Sequence, residues 1–262
     1  MRTIILCGGK GIRLGNQADY IPKGMVSIAH KPILWHIMKR YSLAGHTSFV
    51  LALGKKGELI RDYFSNYLYY TNDVALNLGT GEKKYLSNNM DINWDVSLVD
   101  TGDMAMSGAR IDRCKQYLGE DEDFMVTYSD SVANIDIKKL IAFHKKSKKV
   151  VTVTGAIPPY REGEFILKEN GRIELYDSRE KNSGLIRPYI NGGFMIFNKK
   201  IFNYLNSFNE CKLETQIFPQ LIQDQQIAIF PHTGFWRWLD TERDYEYLND
   251  LADKNNMYWL HE

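Results

Sequence analysis

Thr3-Ile4-Ile5-Leu6-Cys7-Gly8-Gly9-Lys10-Gly11-Ile12-Arg13-Leu14-Gly15 is the stretch on which the fold turns. Residues 3–7 form a short apolar run of β character, and Gly8-Gly9 stops it. Such glycines let backbone N–H groups come close to phosphate oxygens, and Lys10 and Arg13 can add charge-assisted hydrogen bonds. The spacing is neither the Walker pattern nor Gly-x-Gly-x-x-Gly. A plain Gly-rich turn therefore stands beside the phosphate-cradle reading.

The alternation continues outward from there. Pro32 suits the first position of a helix, on which Leu34, Met38 and Tyr41 share a face with Ile33 and Ile37 beside them, and Gly45 ends it. Residues 48–53 read as a second buried strand. Residues 57–70 read as a second helix with Leu59, Tyr63, Tyr67 and Tyr70 at helical spacing. Residues 95–99, 124–128 and 150–154 are further strands, and 136–146 a helix. Strands alternating with helices predict an α/β, Rossmann-like fold with a mixed, mainly parallel sheet flanked by helices.

The second half mixes signals. Residues 164–168, 172–176 and 189–197 are β-like; helices are expected near 200–207 and 214–223. Residues 72–93, rich in Asn, Gly, Lys and Ser, read as a mobile loop. With no internal repeat, low-complexity linker or boundary, residues 1–262 are expected to form one domain.

The composition is that of an ordinary globular chain, 44% apolar and 25% charged. Lys+Arg of 33 against Asp+Glu of 32 gives a net charge of +1, which excludes a basic nucleic-acid coat or an acidic tail as the main story. Cys7, Cys114 and Cys211 are odd in number and far apart, suited to neither a disulfide framework nor a zinc site. No apolar run reaches membrane-spanning length, and the start is too Gly-broken for a signal peptide. A cytoplasmic protein with no nucleic-acid or membrane partner is expected; a homo-oligomer is left open.

Other segments carry candidate chemistry. Lys23, in Ile21-Pro22-Lys23-Gly24-Met25, lies close behind the Gly-rich stretch and is placed to reach a polyphosphate. Asp130, in Tyr128-Ser129-Asp130-Ser131, follows a strand, where ligands of parallel sheets gather. It suits Mg²⁺ or, equally, an Asx turn or helix cap. Asp240, in Trp236-Arg237-Trp238-Leu239-Asp240-Thr241, has the same two readings. Asp100, Thr101, Asp103 and Arg110 lie in a Gly- and Ser-containing turn that shapes a base pocket or is simply a loop. The six histidines show no ligand spacing, and His36 and His144 fit helix patterns.

In this order the motifs resemble the sugar-phosphate nucleotidyltransferases, and within them the glucose-1-phosphate cytidylyltransferases. The residues that carry the likeness are Gly8-Gly9-Lys10-Gly11-Ile12-Arg13-Leu14, Pro22-Lys23-Gly24-Met25 and Lys31-Pro32-Ile33-Leu34-Trp35-His36-Ile37-Met38-Lys39. Further along come Leu98-Val99-Asp100-Thr101-Gly102-Asp103, Tyr128-Ser129-Asp130-Ser131-Val132-Ala133, Ile190-Asn191-Gly192-Gly193-Phe194 and Leu239-Asp240-Thr241.

The resemblance implies a GT-A-like nucleotidyltransferase fold and a Mg²⁺-dependent transfer of CMP from CTP to a phosphorylated small acceptor, releasing pyrophosphate. The product would be a CDP-linked precursor for surface polysaccharide. By motif, Arg13 and Lys23 orient and neutralise phosphates. Leu6, Gly8, Gly9, Gly11, Thr101 and Arg110 join them around the nucleotide. Asp130 and Asp240 hold the metal. Ser129, Ser131, Glu180, Lys181 and Asn191 face the acceptor.

Departures from the family pattern cluster. Ile12 stands for Thr, Gly24 for Pro, Ser129 and Ser131 for two glycines, Asn134 for Asp and Asn182 for Pro. They imply an altered acceptor pocket, in which glucose 1-phosphate is a mediocre substrate. A non-sugar phosphate, such as a phosphorylated alcohol or phosphoglutamine, is then the alternative acceptor. A non-catalytic nucleotide-binding homologue is opposed by the retention of Arg13, Lys23, Asp130, Lys181 and Asp240. A glycosyltransferase of similar fold would need a second Asp that Ser129-Asp130-Ser131 lacks.

Overall fold

The computed structural model describes residues 1–8, 21–87, 92–158 and 189–261, and the backbone of 165–167 and 173–175. Gly9, Gly11, Arg13, Glu180 and Lys181, with Ile12 and Asn182, lie outside the described residues.

Strand β1 (Thr3–Cys7) is apolar at four of five positions and wholly buried. It pairs in parallel with β2 (Ser48–Leu53) on one side and β4 (Asp123–Tyr128) on the other, and β3 (Asp95–Asp100) extends the sheet parallel to β2. A short strand β5 (Ser131–Ala133) follows β4. Beyond β4 lie β7 (Ile190–Asn198), antiparallel to both neighbours, then β6 (Val151–Ala156) and β8 (Ile227–His232), the last two mutually parallel. The order β8-β6-β7-β4-β1-β2-β3 is the mixed, mainly parallel sheet expected.

Side chains alternate across each strand, so both faces need cover. Ile5, Cys7, Leu51 and Ile196 join the core under helices α1 (Ile33–Leu43), α5 (Ile137–Ser147) and α7 (Glu242–Asp253). Ile4, Leu6, Val50 and Met195 join the opposite core, under α4 (Ser107–Arg113) and α6 (Phe218–Gln223).

Several expectations change. Pro32 pairs in a short ribbon (Ser27–Ile28 with Lys31–Pro32) and caps α1 rather than entering it. The helix expected over 57–70 splits at Asn66 into α2 (Gly57–Ser65) and α3 (Tyr67–Thr71). There the Asn66 amide donates to both the backbone and the side chain of Asp62. Residues 72–93 are not simply a loop: Val74–Leu76 pairs with Lys83–Tyr85. That turn is tied by Asn77 Oδ1, which accepts from Gly79 and Thr80, and by Gly81 in the left-handed region at φ 75°. The helix expected near 200–207 is only a 3₁₀ turn, Lys199–Asn203. The helix expected over 214–223 begins with a wide π turn, Leu213–Ile217.

Cys7, Cys114 and Cys211 are buried thiols. Burial pushes Cys114 up to about 12 and Cys7 higher still. Among the described residues no helix is long and apolar enough to cross a membrane.

Candidate active site

Asp130 leaves the carboxyl end of β4, where the sheet opens. The next residues form β5, which pairs antiparallel with β9 (Trp236–Trp238) in the register Ser131 to Trp238 and Ala133 to Trp236. Leu239 N–H then donates to the Asp130 carbonyl at 2.7 Å, which brings Asp240 beside Asp130. Neither aspartate is a helix cap. Asp136 caps α5 by accepting from Lys139 N–H, and Thr241 caps α7 in a reciprocal box with Asp244.

Both carboxylates face Lys23. Its Nζ lies 2.7 Å from Asp240 Oδ1 and 3.3 Å from Asp130 Oδ2. The lysine sits in a 3₁₀ turn, Lys23–Met25, entered through Pro22 at φ −64°. Burial alone would lower the Lys23 pKa; the charge of Asp130 and the bonds to both aspartates outweigh it and hold the ammonium above its ordinary value. Burial raises the Asp130 carboxyl, and Lys23 draws it part of the way back. Asp240 is 60% exposed, so the cluster is open to an incoming ligand.

The donor set is two carboxylates gathered around one cation. Among the described residues no group of three or more His, Cys, Asp or Glu could hold a metal. This chemistry fits Mg²⁺, which takes one or two carboxylates and completes its shell with water and substrate phosphates.

Arg110 lies on α4, not in a loop, and is 3% exposed. Its guanidinium donates to the Leu53 carbonyl at 2.9 Å and to the Thr101 hydroxyl at 2.6 Å, and that hydroxyl donates to Leu53 O at 2.6 Å. A β-carbon on Gly8 would stand 2.0 Å from Arg110 Cζ, and one on Gly54 2.5 Å from Nη2. A side chain at position 8 would have to displace the bonded guanidinium that lies across the ends of β1 and β2. Leu6 is a core residue of β1.

A cavity of about 180 Å³ adjoins the carboxylates, lined by Tyr128, Asp130, Ser131, Asn191, Trp236, Trp238 and Asp240. Ser131 and Asn191 thus border the same cavity as the two carboxylates. Ser129 is not part of that lining and has its side chain beside Gly24, while Asn134 packs beneath Gly234. Sequence reading passes over Glu214, which bonds the Tyr128 hydroxyl and the Ser107 hydroxyl. Its place in a helical-looking run hides it. His36 and His144 are structural: His36 donates to Ile28 O, and His144 meets Thr152 and Asp123. A larger cleft, about 330 Å³, lies at the opposite end of β4 around Asp123 and Lys145 and has no carboxylate pair.

The fold and this site can be set against known proteins. The family model described as nucleotidyl transferase matches residues 2–249. The chain is 38% identical over 259 residues to a glucose-1-phosphate cytidylyltransferase of Salmonella typhimurium, covering 99% of this chain and 98% of that one. It is 35% identical over 259 residues to a probable glucose-1-phosphate cytidylyltransferase of Bacillus subtilis, covering 99% of each. Among solved structures, HddC from Yersinia pseudotuberculosis complexed with GMP-PN superposes with a TM-score of 0.67 at 20% identity, covering 96% of this chain and 99% of that one. The last likeness bears on the fold alone; the match along nearly the whole length decides the family. The chain belongs to the nucleotidyl transferase family and is a transferase of that class.

Proposed function

We propose that this enzyme transfers the CMP unit of CTP to the phosphate of a sugar 1-phosphate such as glucose 1-phosphate. A phosphate oxygen of the acceptor attacks the α-phosphorus of CTP in line. The bond from that phosphorus to the bridging oxygen breaks, and pyrophosphate leaves. Such transfer is mostly positioning and charge neutralisation.

The observation that carries this reading is the Lys23 ammonium held between Asp130 and Asp240 at the carboxyl end of the sheet. When bound, Mg²⁺ would be held by Asp130 and Asp240 and would neutralise charge on the phosphates. Lys23 orients a phosphate oxygen beside them, with Arg13 joining by motif. Thr101 and Arg110 set the ends of β1 and β2 beneath the nucleotide. Asn191 and Ser131 meet the acceptor, and Glu180 and Lys181 match the family residues that bind its sugar and phosphate. The preference for CTP rests on the full-length identity with cytidylyltransferases. A CDP-linked precursor of surface polysaccharide, made in the cytoplasm, is the product and place this reading favours.

Ser131 favours a second acceptor reading. Its side chain borders the cavity where the family pattern has glycine, adding volume and a hydroxyl that a non-sugar phosphate can satisfy.

The test is pyrophosphate release with CTP, UTP, dTTP or ATP against a panel of phosphorylated acceptors. CTP is expected to be far the best donor; equal turnover with UTP overturns the assignment. If a non-sugar phosphate beats glucose 1-phosphate in kcat/KM with CTP fixed, the second acceptor reading replaces the first.

A further inference from the structure

Two backbone N–H groups fix the direction of every hydrogen bond in a chain that ends at the acceptor cavity. At one end, Gly193 N–H donates to Asn191 Oδ1 at 3.0 Å. The Asn191 amide therefore turns Nδ2 toward Tyr128 and donates to the phenol oxygen at 3.0 Å. The phenol, having accepted, gives its own proton to Glu214 Oε1. At the other end, Leu213 N–H donates to Ser107 Oγ at 3.0 Å, so Ser107 gives its proton to Glu214 Oε2 at 3.0 Å. Two donors thus converge on Glu214. Only a group that accepts at both ends satisfies them, and a carboxylate is that group.

The surroundings hold the chain in place. Gly193 has φ 84°, and a β-carbon there would crowd Tyr128 Cδ2 at 3.0 Å. Burial, then the charge of Glu214, keeps the Tyr128 phenol protonated by raising its pKa well above the ordinary value. The second N–H of Asn191 has no partner among the described residues, and Asn191 lines the cavity.

We infer that Glu214 is a positioning residue that holds the Tyr128 phenol as an acceptor toward Asn191, in agreement with the orientation Gly193 sets, so that the acceptor cavity presents an N–H donor and takes a ligand oxygen with a free lone pair at that point. A sugar hydroxyl or an amide carbonyl meets this demand; a group that can only donate does not. A site built this way discriminates strongly, because a mismatched ligand leaves a buried polar group unpaired. The inference rests on the acceptor-site reading above and narrows the acceptor class.

Glu214→Gln puts an NH₂ where two donors already point. If it faces Tyr128, the phenol proton loses its acceptor and is met only by a flipped Asn191, at the expense of the bond from Gly193. The expected result is a rise of tenfold or more in KM for glucose 1-phosphate, larger than the fall in kcat, with KM for CTP within twofold. The side-chain amide resonances of Asn191, assigned by their loss in Asn191→Asp, should shift. Tyr128→Phe is the counter-test: Gly193 still fixes the amide, so KM for the acceptor should rise threefold or less.

The inference is overturned if Glu214→Gln leaves the acceptor KM and the Asn191 resonances unmoved, or if Tyr128→Phe costs tenfold. Should Glu214→Gln not fold, the Tyr128→Phe limit alone decides. Should wild-type enzyme turn over no acceptor with CTP, the proposed function fails while the Asn191 resonances still decide this point.

Discussion

The β-carbon of Ser129 lies 3.2 Å from the point where a β-carbon on Gly24 would stand. These are two of the positions at which the chain departs from the family pattern, which has Pro at the first and Gly at the second. Volume lost on the turn of Lys23 is regained on the segment that carries Asp130. The two departures meet in one contact, and Ser129 packs against the turn of Lys23.

Gly24→Ala should therefore destabilise alone and be tolerated with Ser129→Gly. Overpacking of this kind costs about 1–3 kcal/mol, and the pair should show a coupling of about 1 kcal/mol in denaturant unfolding. Strict additivity would show that the two sites do not share space.

Ser131, by contrast, borders the cavity. Ser131→Gly should change the ratio of kcat/KM values between sugar and non-sugar phosphates, while Ser129→Gly leaves that ratio within about threefold, a change too small to reflect a lost polar contact. The same acceptor panel with both variants decides it; equal effects would return Ser129 to the pocket.

Asp130→Asn and Asp240→Asn should each lower kcat by roughly 10²-fold or more, the usual scale for losing one electrostatic stabiliser of a transition state. Both side chains are at least 32% exposed, so thermal midpoints should change little. Near-normal turnover in either variant would remove that residue from the proposed metal site.

His36 predicts an acid limit to stability. Its Nε2 lies 2.8 Å from Ile28 O and donates to it, so Nδ1 must accept from Trp259 Nε1–H at 3.2 Å. Burial lowers its pKa from 6.5 to about 4. Between those values the unfolded chain binds a proton that the folded one refuses. The stabilisation is thus complete above pH 6.5 and lost as pH falls toward 4, by up to about 3 kcal/mol. Unfolding free energies of wild type and His36→Gln over that range should converge as pH falls; parallel curves would show that His36 does not titrate this way.

What sequence reading reaches depends on how local the cause is. Residues 3–7 and 48–53 are apolar after their first position, and the strands fall on them without offset. Strand β7 is located, yet its antiparallel entry between β4 and β6 rests on pairings such as Met195 with Val126 that no local pattern encodes. The ribbon within residues 72–93 escapes because Lys83–Tyr85 is exposed throughout and shows no alternation. At the site, Asp130 and Lys23 are legible from a strand end and a Pro-Lys turn. Their meeting with Asp240 depends on the pairing of β5 with β9, distant in sequence. Glu214 is illegible for the same reason: its meaning is Tyr128 and Ser107, both far away along the chain.

Arg110, wedged over Gly8 and Gly54, bears on protein engineering. Its guanidinium ties Leu53 to Thr101 and lies against Gly8. Positions 8 and 54 therefore cannot be varied independently of Arg110: a side chain at either one asks the guanidinium to leave Leu53 and Thr101.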